Sequence, residues 1–157
     1  MQIIVDTREQ NPYHFKGYPV EITAGTLNAG DYSIPGFEAD IAIERKELGD
    51  LMGCLTHDRD RFTRELERLR GYDSAALLIE APFKAISGGQ YRNRITPKAA
   101  VQSLFSIMQN YRMPVLFADN RAAGEEFVYH FLRHFIRHAT AKYKALERQG
   151  DQGAPSD

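Results

Sequence analysis

Three side chains in the first third of the chain could carry out metal-ion chemistry: Asp31, Glu44 and Lys46. Glu44 and Lys46 lie in the stretch IAIERK, whose alternation predicts a strand that places both side chains on one face. Carboxylate oxygens suit Mg²⁺ or Mn²⁺, and Mg²⁺ completes its shell with water and phosphate oxygens. Such an ion activates water and neutralises charge on a phosphodiester, while a nearby lysine orients the water. The set therefore predicts phosphodiester hydrolysis.

The same residues have a second interpretation. An acid two residues before a lysine on an exposed strand more often forms a solvated surface pair. Burial favours the catalytic interpretation, because Glu44 follows an apolar run in which an unpaired charge would be costly. An Asp, a gap and then Glu-x-Lys is also the order found in phosphodiester-cleaving sites of the PD-(D/E)xK type.

The elements that must position these residues follow an α/β pattern. Strands are predicted at 2–6, 19–27, 74–83 and 113–119, with a hairpin over 29–46 that turns at Pro35-Gly36. Helices are predicted at 47–55, 56–72, 97–111 and 121–145. This order predicts a central mixed β-sheet flanked by helices on both faces. The hairpin brings Asp31 and Glu44 together.

Composition limits the class of protein. The chain has 157 residues, 43% hydrophobic and 26% charged, which is typical of one soluble globular domain. No apolar run approaches the roughly 18 residues that a membrane span needs, and the N-terminus lacks the organisation of a signal peptide. The single cysteine, Cys54, favours a reducing compartment. We therefore expect a cytoplasmic protein, associated with the nucleoid in a prokaryote, with no membrane partner.

Five successive motifs resemble those of the XPF-type structure-specific endonuclease family. They are VDTREQ at 5–10, AGDYSI at 29–34, IERKELGDL at 43–51, RFTRELERL at 61–69 and ALLIEA at 76–81. The family's central motif is GD, a variable gap, then ERK, three residues and D, and the chain matches it from Gly30 to Asp50. The resemblance covers roughly residues 2–138 and implies a restriction-endonuclease-like nuclease fold. We assign the nuclease domain to 1–147 and expect a disordered tail at 148–157.

The resemblance implies a role for each matching residue. Metal ligands would be Asp31, Glu44, the backbone carbonyl of Arg45, and Asp6. Lys46 would be the catalytic lysine. Further members of the site would be Asp50, Glu9 and Arg61, of which the arginine could contact a phosphate. The Arg45 side chain points away from Glu44 and Lys46, so a structural role is as good an interpretation as a catalytic one.

The implied activity is a Mg²⁺-dependent DNA endonuclease, with Mn²⁺ as a substitute, acting on branched, flap or fork DNA in repair or recombination. Two features depart from the family. The chain has no room after its last helix for the usual helix-hairpin-helix module, which predicts a separate DNA-gripping protein partner. Position 65 is glutamate where many relatives have glutamine. The alternative is a catalytically silent or partner-dependent DNA-binding or scaffolding domain of the same fold.

A second candidate region is the basic run from residue 84 to 98, which contains no acid. It could bind a DNA backbone, with Tyr91 stacking on an unpaired base. An ordinary solvated loop is an equally good interpretation. The candidate DNA-binding residues are Lys84, Tyr91, Arg92, Arg94 and Lys98.

The last predicted helix carries two stripes. His130, His134 and His138 recur at helical spacing, which suits either a zinc site or a solvated flank, and the flank is favoured because no further ligand is close in sequence. An aromatic stripe of Phe127, Phe131 and Phe135 accompanies them. The stripe itself predicts core packing, and the resemblance to the XPF-type family implies an alternative, a homodimer interface through the C-terminal helical region.

Overall fold

The computed structural model describes residues 1–151 of the chain. Its strands are β1 (Gln2–Asp6), β2 (Glu21–Gly25), β3 (Tyr32–Ser33), β4 (Ile41–Glu47), β5 (Ser74–Glu80) and β6 (Val115–Phe117). Its helices are α1 (Leu48–Cys54), α2 (Arg59–Arg70), α3 (Phe83–Ser87), α4 (Pro97–Tyr111) and α5 (Arg121–Asp151).

Within these residues the strands form one sheet in the order β2-β1-β3-β4-β5-β6. Strands β1 and β2, β4 and β5, and β5 and β6 pair in parallel. Strand β3 pairs antiparallel with both β1 and β4. The predicted mixed sheet and hairpin are therefore confirmed. Strand β4 lies inside the sheet, paired on both sides, so the backbone that carries Glu44 and Lys46 is held firmly.

The sheet separates two hydrophobic clusters, and the alternation along β4 decides which side chain faces which. Ala42 packs with Leu51 of α1 and Leu66 of α2, whereas Ile41 and Ile43 pack with the cluster of α5. Side chains on a strand alternate between faces. The even-numbered side chains of β4 therefore face α1 and α2, and Arg45 faces the α5 side.

The structure has one short helix that the sequence-based prediction lacks, and most of the other elements differ from their predicted bounds by a few residues. The stretch from Phe83 to Ser87 forms the short helix α3, because Ile86 is buried and Phe83 packs edge-on against Phe117. Lys84 therefore lies on a helix and not in a loop. The predicted start of α4 is confirmed: the hydroxyl of Thr96 accepts a hydrogen bond from the Ala99 N–H, directly before the first-turn proline.

Helix α5 continues to Asp151, past the predicted end at 145 and four residues into the predicted tail. The rest of that tail, 152–157, lies outside the described residues. Among the described helices, none is both long and apolar enough to cross a bilayer.

Gly30 allows the backbone to present Asp31. Its φ of +81° lies in the left-handed region, and a Cβ there would lie 2.8 Å from the Cβ of Ala42 and 3.2 Å from the carbonyl oxygen of Ile43. The next residue bridges two strands, since the Asp31 N–H donates to the Ile43 carbonyl and the Asp31 carbonyl accepts from the Asp6 N–H. Close packing, as well as the turn, therefore requires glycine.

We expect Gly30→Ala to lower the free energy of unfolding by about 3 kcal/mol, because strain and a steric clash add together. Urea denaturation measures the loss. Gly36→Ala is the matched control, since Gly36 has a φ of +84° but open space around it. It should cost only about 1 kcal/mol. Equal losses for the two variants would contradict the role of close packing.

Candidate active site

A cleft of about 740 Å³ opens where β1 and β4 end. Its walls are the loop after β1, the start of α1 and the turn between α1 and α2. The residues that line it are Arg8, Glu9, Gln10, Asn11, Asp31, Arg45, Lys46, Glu47, Gly49, Asp50, Gly53, Cys54, His57, Asp58 and Arg61. Five of the seven sequence-predicted catalytic residues therefore line one cleft. Glu44 is not among the lining residues; it is buried and forms an ion pair with Lys46, which is.

Asp31 presents its carboxylate to the cleft from the turn before β3. Its Oδ2 accepts a hydrogen bond of 2.7 Å from the Arg45 backbone N–H, which fixes it against β4. Burial raises the pKa of Asp31 to about 7, although the Arg45 N–H and the Lys46 ammonium partly oppose that rise. Near neutral pH this carboxyl group therefore exchanges a proton readily.

Glu44 and Lys46 form an ion pair on the same face of β4. Glu44 is only 1% exposed. Its Oε1 accepts from the Lys46 ammonium, whereas its Oε2 has no hydrogen-bond partner in the described part of the chain. Burial, together with the neighbouring Asp31, raises the pKa of Glu44 well above its usual value. Burial by itself would lower the pKa of Lys46. The attraction of the Glu44 carboxylate is larger than this effect, so the net result is a raised lysine pKa.

This donor set fits a divalent cation. Two neighbouring carboxylates with raised pKa values, the half-buried Asp31 and the buried Glu44 with its free oxygen, are stabilised by added positive charge. Within residues 1–151 no three His, Cys, Asp or Glu side chains form a ready ligand cluster. The protein therefore offers Asp31 and Glu44 as a partial shell, as Mg²⁺ sites commonly do.

Asp6 does not join this pair. Both of its oxygens are occupied: Oδ1 accepts from the N–H and Nε of Arg8, and Oδ2 accepts from Arg8 Nη2 and the Leu27 N–H. Burial opposes its ionisation, but these donors keep the pKa of Asp6 below its usual value. Asp6 therefore anchors Arg8 at the edge of the cleft. The role of metal ligand expected for Asp6 has no support in this geometry.

The Arg45 side chain is buried on the other face of the sheet. Its guanidinium lies 2.8 Å from Glu80, 2.9 Å from Glu47 and 3.5 Å from Glu9, measured between nitrogen and carboxylate oxygen. It also lies 5.0 Å above the ring of Tyr13. Glu9 therefore contacts Arg45 directly, and it reaches the Asp31–Glu44 pair only through its charge. The structural interpretation of the Arg45 side chain is the one that these contacts support.

Asp50 and Arg61 line the cleft at its outer wall. Asp50 is exposed on α1. The Arg61 side chain is 74% exposed, and its guanidinium lies 3.3 Å from Asp58. Within residues 1–151, neither side chain forms a hydrogen bond or an ion pair with Asp31 or Glu44.

The basic run approaches the cleft at one point. The side chain of Asn93 donates a 3.3 Å hydrogen bond to the hydroxyl of Thr56, in the turn that forms the cleft wall. Arg92 and Arg94 flank Asn93 and are exposed. Tyr91 differs from the expectation: it packs against the hydrophobic core and its hydroxyl donates to the Ile95 carbonyl. Stacking of its partly exposed ring on a base therefore stays a prediction.

Lys84 and Lys98 are exposed on helices α3 and α4 at the two ends of the basic run. Both could contribute positive charge, but neither lines the cleft.

A larger groove of about 1040 Å³ runs along α5 and is mostly apolar. The three helix histidines line it together with the aromatic stripe. His130 Nε2 lies 4.0 Å from Glu126. This groove contains neither Asp31 nor Lys46, so its greater volume does not make it the site of the chemistry.

Two residues near the candidate site, Arg8 in the cleft wall and Glu65 beside Lys46, were not predicted as functional from their types and spacing. Arg8 is in the VDTREQ motif, and its place after a strand-end acid was the available signal. Glu65 lies 3.9 Å from the Lys46 ammonium. The sequence marked Glu65 only as a glutamate where many relatives have glutamine. Its effect on Lys46 depends on how α2 packs against β4, which the sequence does not display.

Three comparisons with known proteins agree with this geometry. Residues 5–131 match the family described as the ERCC4 domain. A Methanocaldococcus jannaschii protein named as an ATP-dependent RNA helicase is 26% identical over 120 residues, which cover 76% of this chain and 14% of the helicase.

Solved structures show the same fold. XPF from Aeropyrum pernix aligns with a TM-score of 0.65 and 19% identity, over 85% of this chain and 60% of that one. XPF from the same organism in complex with DNA aligns with a TM-score of 0.66 and 19% identity, over 87% and 65%. The chain spans less than two thirds of each of these relatives. The predicted restriction-endonuclease-like fold is confirmed. Because the family match extends over most of its residues, this chain belongs to the ERCC4 domain family of XPF-type nuclease domains.

Proposed function

We propose that this protein is a divalent-metal-dependent DNA endonuclease whose nuclease domain spans residues 1–147. The observation that carries the proposal is the set of Asp31 and Lys46, which line a cleft, and Glu44, which is buried next to Lys46 and has one oxygen free of hydrogen bonds. Ionising two carboxylates that are partly or fully withdrawn from water costs free energy, and a cation bound between them would offset that cost. Membership in the ERCC4 family supports a role as a DNA nuclease or DNA-binding domain.

The proposed mechanism assigns a task to each residue of the pair and its neighbour. Asp31 and Glu44 would hold Mg²⁺, or Mn²⁺ in its place, with the backbone carbonyl of Arg45 as a further candidate ligand. The ion, when bound, activates water and neutralises charge on the phosphodiester. The Arg45 N–H orients Asp31. Lys46 would place its ammonium beside the attacked phosphate, where it stabilises negative charge in the transition state.

Branched, flap or fork DNA is the proposed substrate, and the XPF structure solved with DNA supports DNA as the ligand. The test is cleavage of labelled fork, flap, single-stranded and linear duplex DNA by the full chain with Mg²⁺ or Mn²⁺. Asp31→Ala and Lys46→Ala should abolish cutting, and Arg70→Ala at the far end of α2 should not. Binding without cutting, with or without an added DNA-gripping protein, would indicate the catalytically silent alternative.

Metal binding should depend on pH. Because protons compete with the cation at Asp31, whose pKa is raised to about 7, and at Glu44, whose pKa is also raised, we expect the apparent Mn²⁺ affinity to increase at least about tenfold per pH unit from 5 to 6.5. The contribution of Asp31 should level off above roughly pH 7.5, where its carboxyl group is ionised. Mn²⁺ titration followed by electron paramagnetic resonance measures this. An affinity independent of pH would argue against Asp31 as a ligand.

The exposed arginines of the basic run should contribute non-specific DNA affinity. For the variant Arg92→Ala/Arg94→Ala we expect the slope of log K against log salt concentration to become shallower by about 1.8, since each lost phosphate contact removes roughly 0.9. Fluorescence anisotropy with duplex DNA in EDTA measures the slope. Arg70→Ala is the control. An unchanged slope would indicate the solvated-loop interpretation.

We also propose that a second copy of the chain covers the groove along α5. Its wall includes Tyr143 and Leu146, which are 64% and 63% exposed. Sedimentation equilibrium decides between monomer and dimer. A separate DNA-gripping partner stays a proposal that the cleavage assay tests.

A further inference from the structure

Helix α2 reaches the catalytic lysine with two of its side chains. Phe62 and Glu65 are three residues apart and so lie on one face of the helix. Phe62 is buried, which fixes the rotation of α2 against the sheet. The Lys46 ammonium lies 5.7 Å from the centroid of the Phe62 ring and 3.9 Å from Glu65 Oε2. The side of α2 that packs on the sheet therefore also places the Glu65 carboxylate next to the Lys46 ammonium.

The surroundings of Glu65 differ from those of an ordinary helix glutamate. Its side chain is only 25% exposed, and the Lys46 side chain only 18%. Glu67, two positions later, is exposed on another face of the helix. The other charged groups near Glu65 are Glu44, Asp31 and Arg8, and Asp6 already holds Arg8.

Lys46 thus has two carboxylate neighbours from different elements, Glu44 on its own strand and Glu65 on α2. A divalent cation at Glu44 would repel the ammonium, since like charges a few ångströms apart destabilise one another. A lysine on a flexible four-carbon stem would then turn away unless a second anion holds it. Glu65 is positioned to be that anion.

We propose that Glu65 is a positioning residue that keeps the Lys46 ammonium in the cleft while Glu44 binds the cation. This inference rests on the proposed endonuclease function and deepens it. Glu65 would act through the Lys46 ammonium, although it also lies beside the Glu44 carboxylate. It gives a function to the glutamate at a position where many relatives have glutamine.

The first test compares Glu65→Gln, which keeps the shape and removes the charge, with Glu67→Gln as the matched control. For Glu65→Gln we expect kcat to fall about 10- to 100-fold, because a misplaced catalytic group loses rate in that range. KM for DNA should stay within about twofold, since the lysine acts mainly in the transition state. Glu65→Asp should recover part of the rate. Glu67→Gln should match the wild type.

The second test needs no cleavage. Nuclear magnetic resonance of ¹⁵N-labelled lysine ammonium groups reports how tightly Lys46 is held, and its signal is assigned by its loss in Lys46→Arg. In the wild type with Mg²⁺ we expect the Lys46 ammonium to stay more ordered than the surface lysines. In Glu65→Gln with Mg²⁺ it should become as mobile as they are.

The outcomes separate this inference from the proposed function. If the wild type cuts no DNA, the endonuclease proposal fails and the ammonium measurement still decides the role of Glu65. An equally ordered ammonium in Glu65→Gln would overturn the inference. So would unchanged kcat with tighter DNA binding, which would identify Glu65 as a repulsive surface charge.

Discussion

Asp31→Asn is expected to abolish cleavage while making the metal-free protein more stable. Asparagine still accepts the Arg45 N–H through its carbonyl oxygen, but it is a poor ligand for Mg²⁺. We expect a loss of activity of about 10³-fold or more, the range for removal of a main electrostatic contributor. Cleavage of fork DNA under single-turnover conditions measures this.

The gain in stability follows from the pKa of Asp31, which the fold raises from 3.8 to about 7. Between these values the folded protein keeps a proton that the unfolded chain has lost, so the wild-type free energy of unfolding falls as pH rises. At pH 8 the variant avoids this cost and should be more stable by roughly 2–4 kcal/mol, at about 1.4 kcal/mol per pKa unit.

Urea denaturation at pH 4 and pH 8 in EDTA measures the difference. At pH 4 the two proteins should be nearly equal in stability, because Asp31 is then protonated when folded. Mg²⁺ should stabilise the wild type and leave Asp31→Asn unchanged. A variant that is less stable than the wild type at pH 8 would contradict the raised pKa and weaken the case for a cation site.

Arg45→Met is expected to lower the free energy of unfolding by about 3–5 kcal/mol, because removal of one partner leaves buried charge uncompensated. The Glu80 carboxylate would lose its 2.8 Å contact, and the Tyr13 hydroxyl would lose a donor. Arg45→Lys should recover only part of the loss, since an ammonium lacks the fork of donors that reaches several carboxylates. Denaturation in urea measures each variant.

The double variant Arg45→Met/Glu80→Gln separates charge from packing. If uncompensated charge causes the loss, the double variant should be more stable than Arg45→Met alone. Arg70→Met, at an exposed position on α2, should cost less than about 0.5 kcal/mol. A loss below about 1 kcal/mol for Arg45→Met would show that this network does not hold the end of β4 in place.

Local patterns were enough to predict most of the scaffold. The alternation from Ile41 to Lys46 predicted a strand with Glu44 and Lys46 on one face, and the hydrophobic clusters confirm it. Thr96 and Pro97 predicted the start of α4. These features succeed because side-chain periodicity and helix capping act over a few residues, which a sequence displays directly.

Contacts between distant segments could not be predicted in that way. Asp6 is engaged by Arg8 and by the Leu27 N–H, twenty-one positions away. Lys84 lies on a helix because Phe83 meets Phe117 of β6. Tyr91 packs, partly exposed, against the core, a contact that its polar, glycine-rich neighbours do not reveal.

The sequence by itself determined which acids and which lysine share a face of β4, because alternation along a strand is a property of the chain. Only the tertiary structure decided which charges neutralise one another around them. Arg45 forms ion pairs with Glu80 and Glu9. Asp6 pairs with Arg8, and the packing of α2 on the sheet places Glu65 beside Lys46. Which charged side chains pair depends on the distances between residues of different elements, because the interaction energy of buried charges changes steeply with their separation.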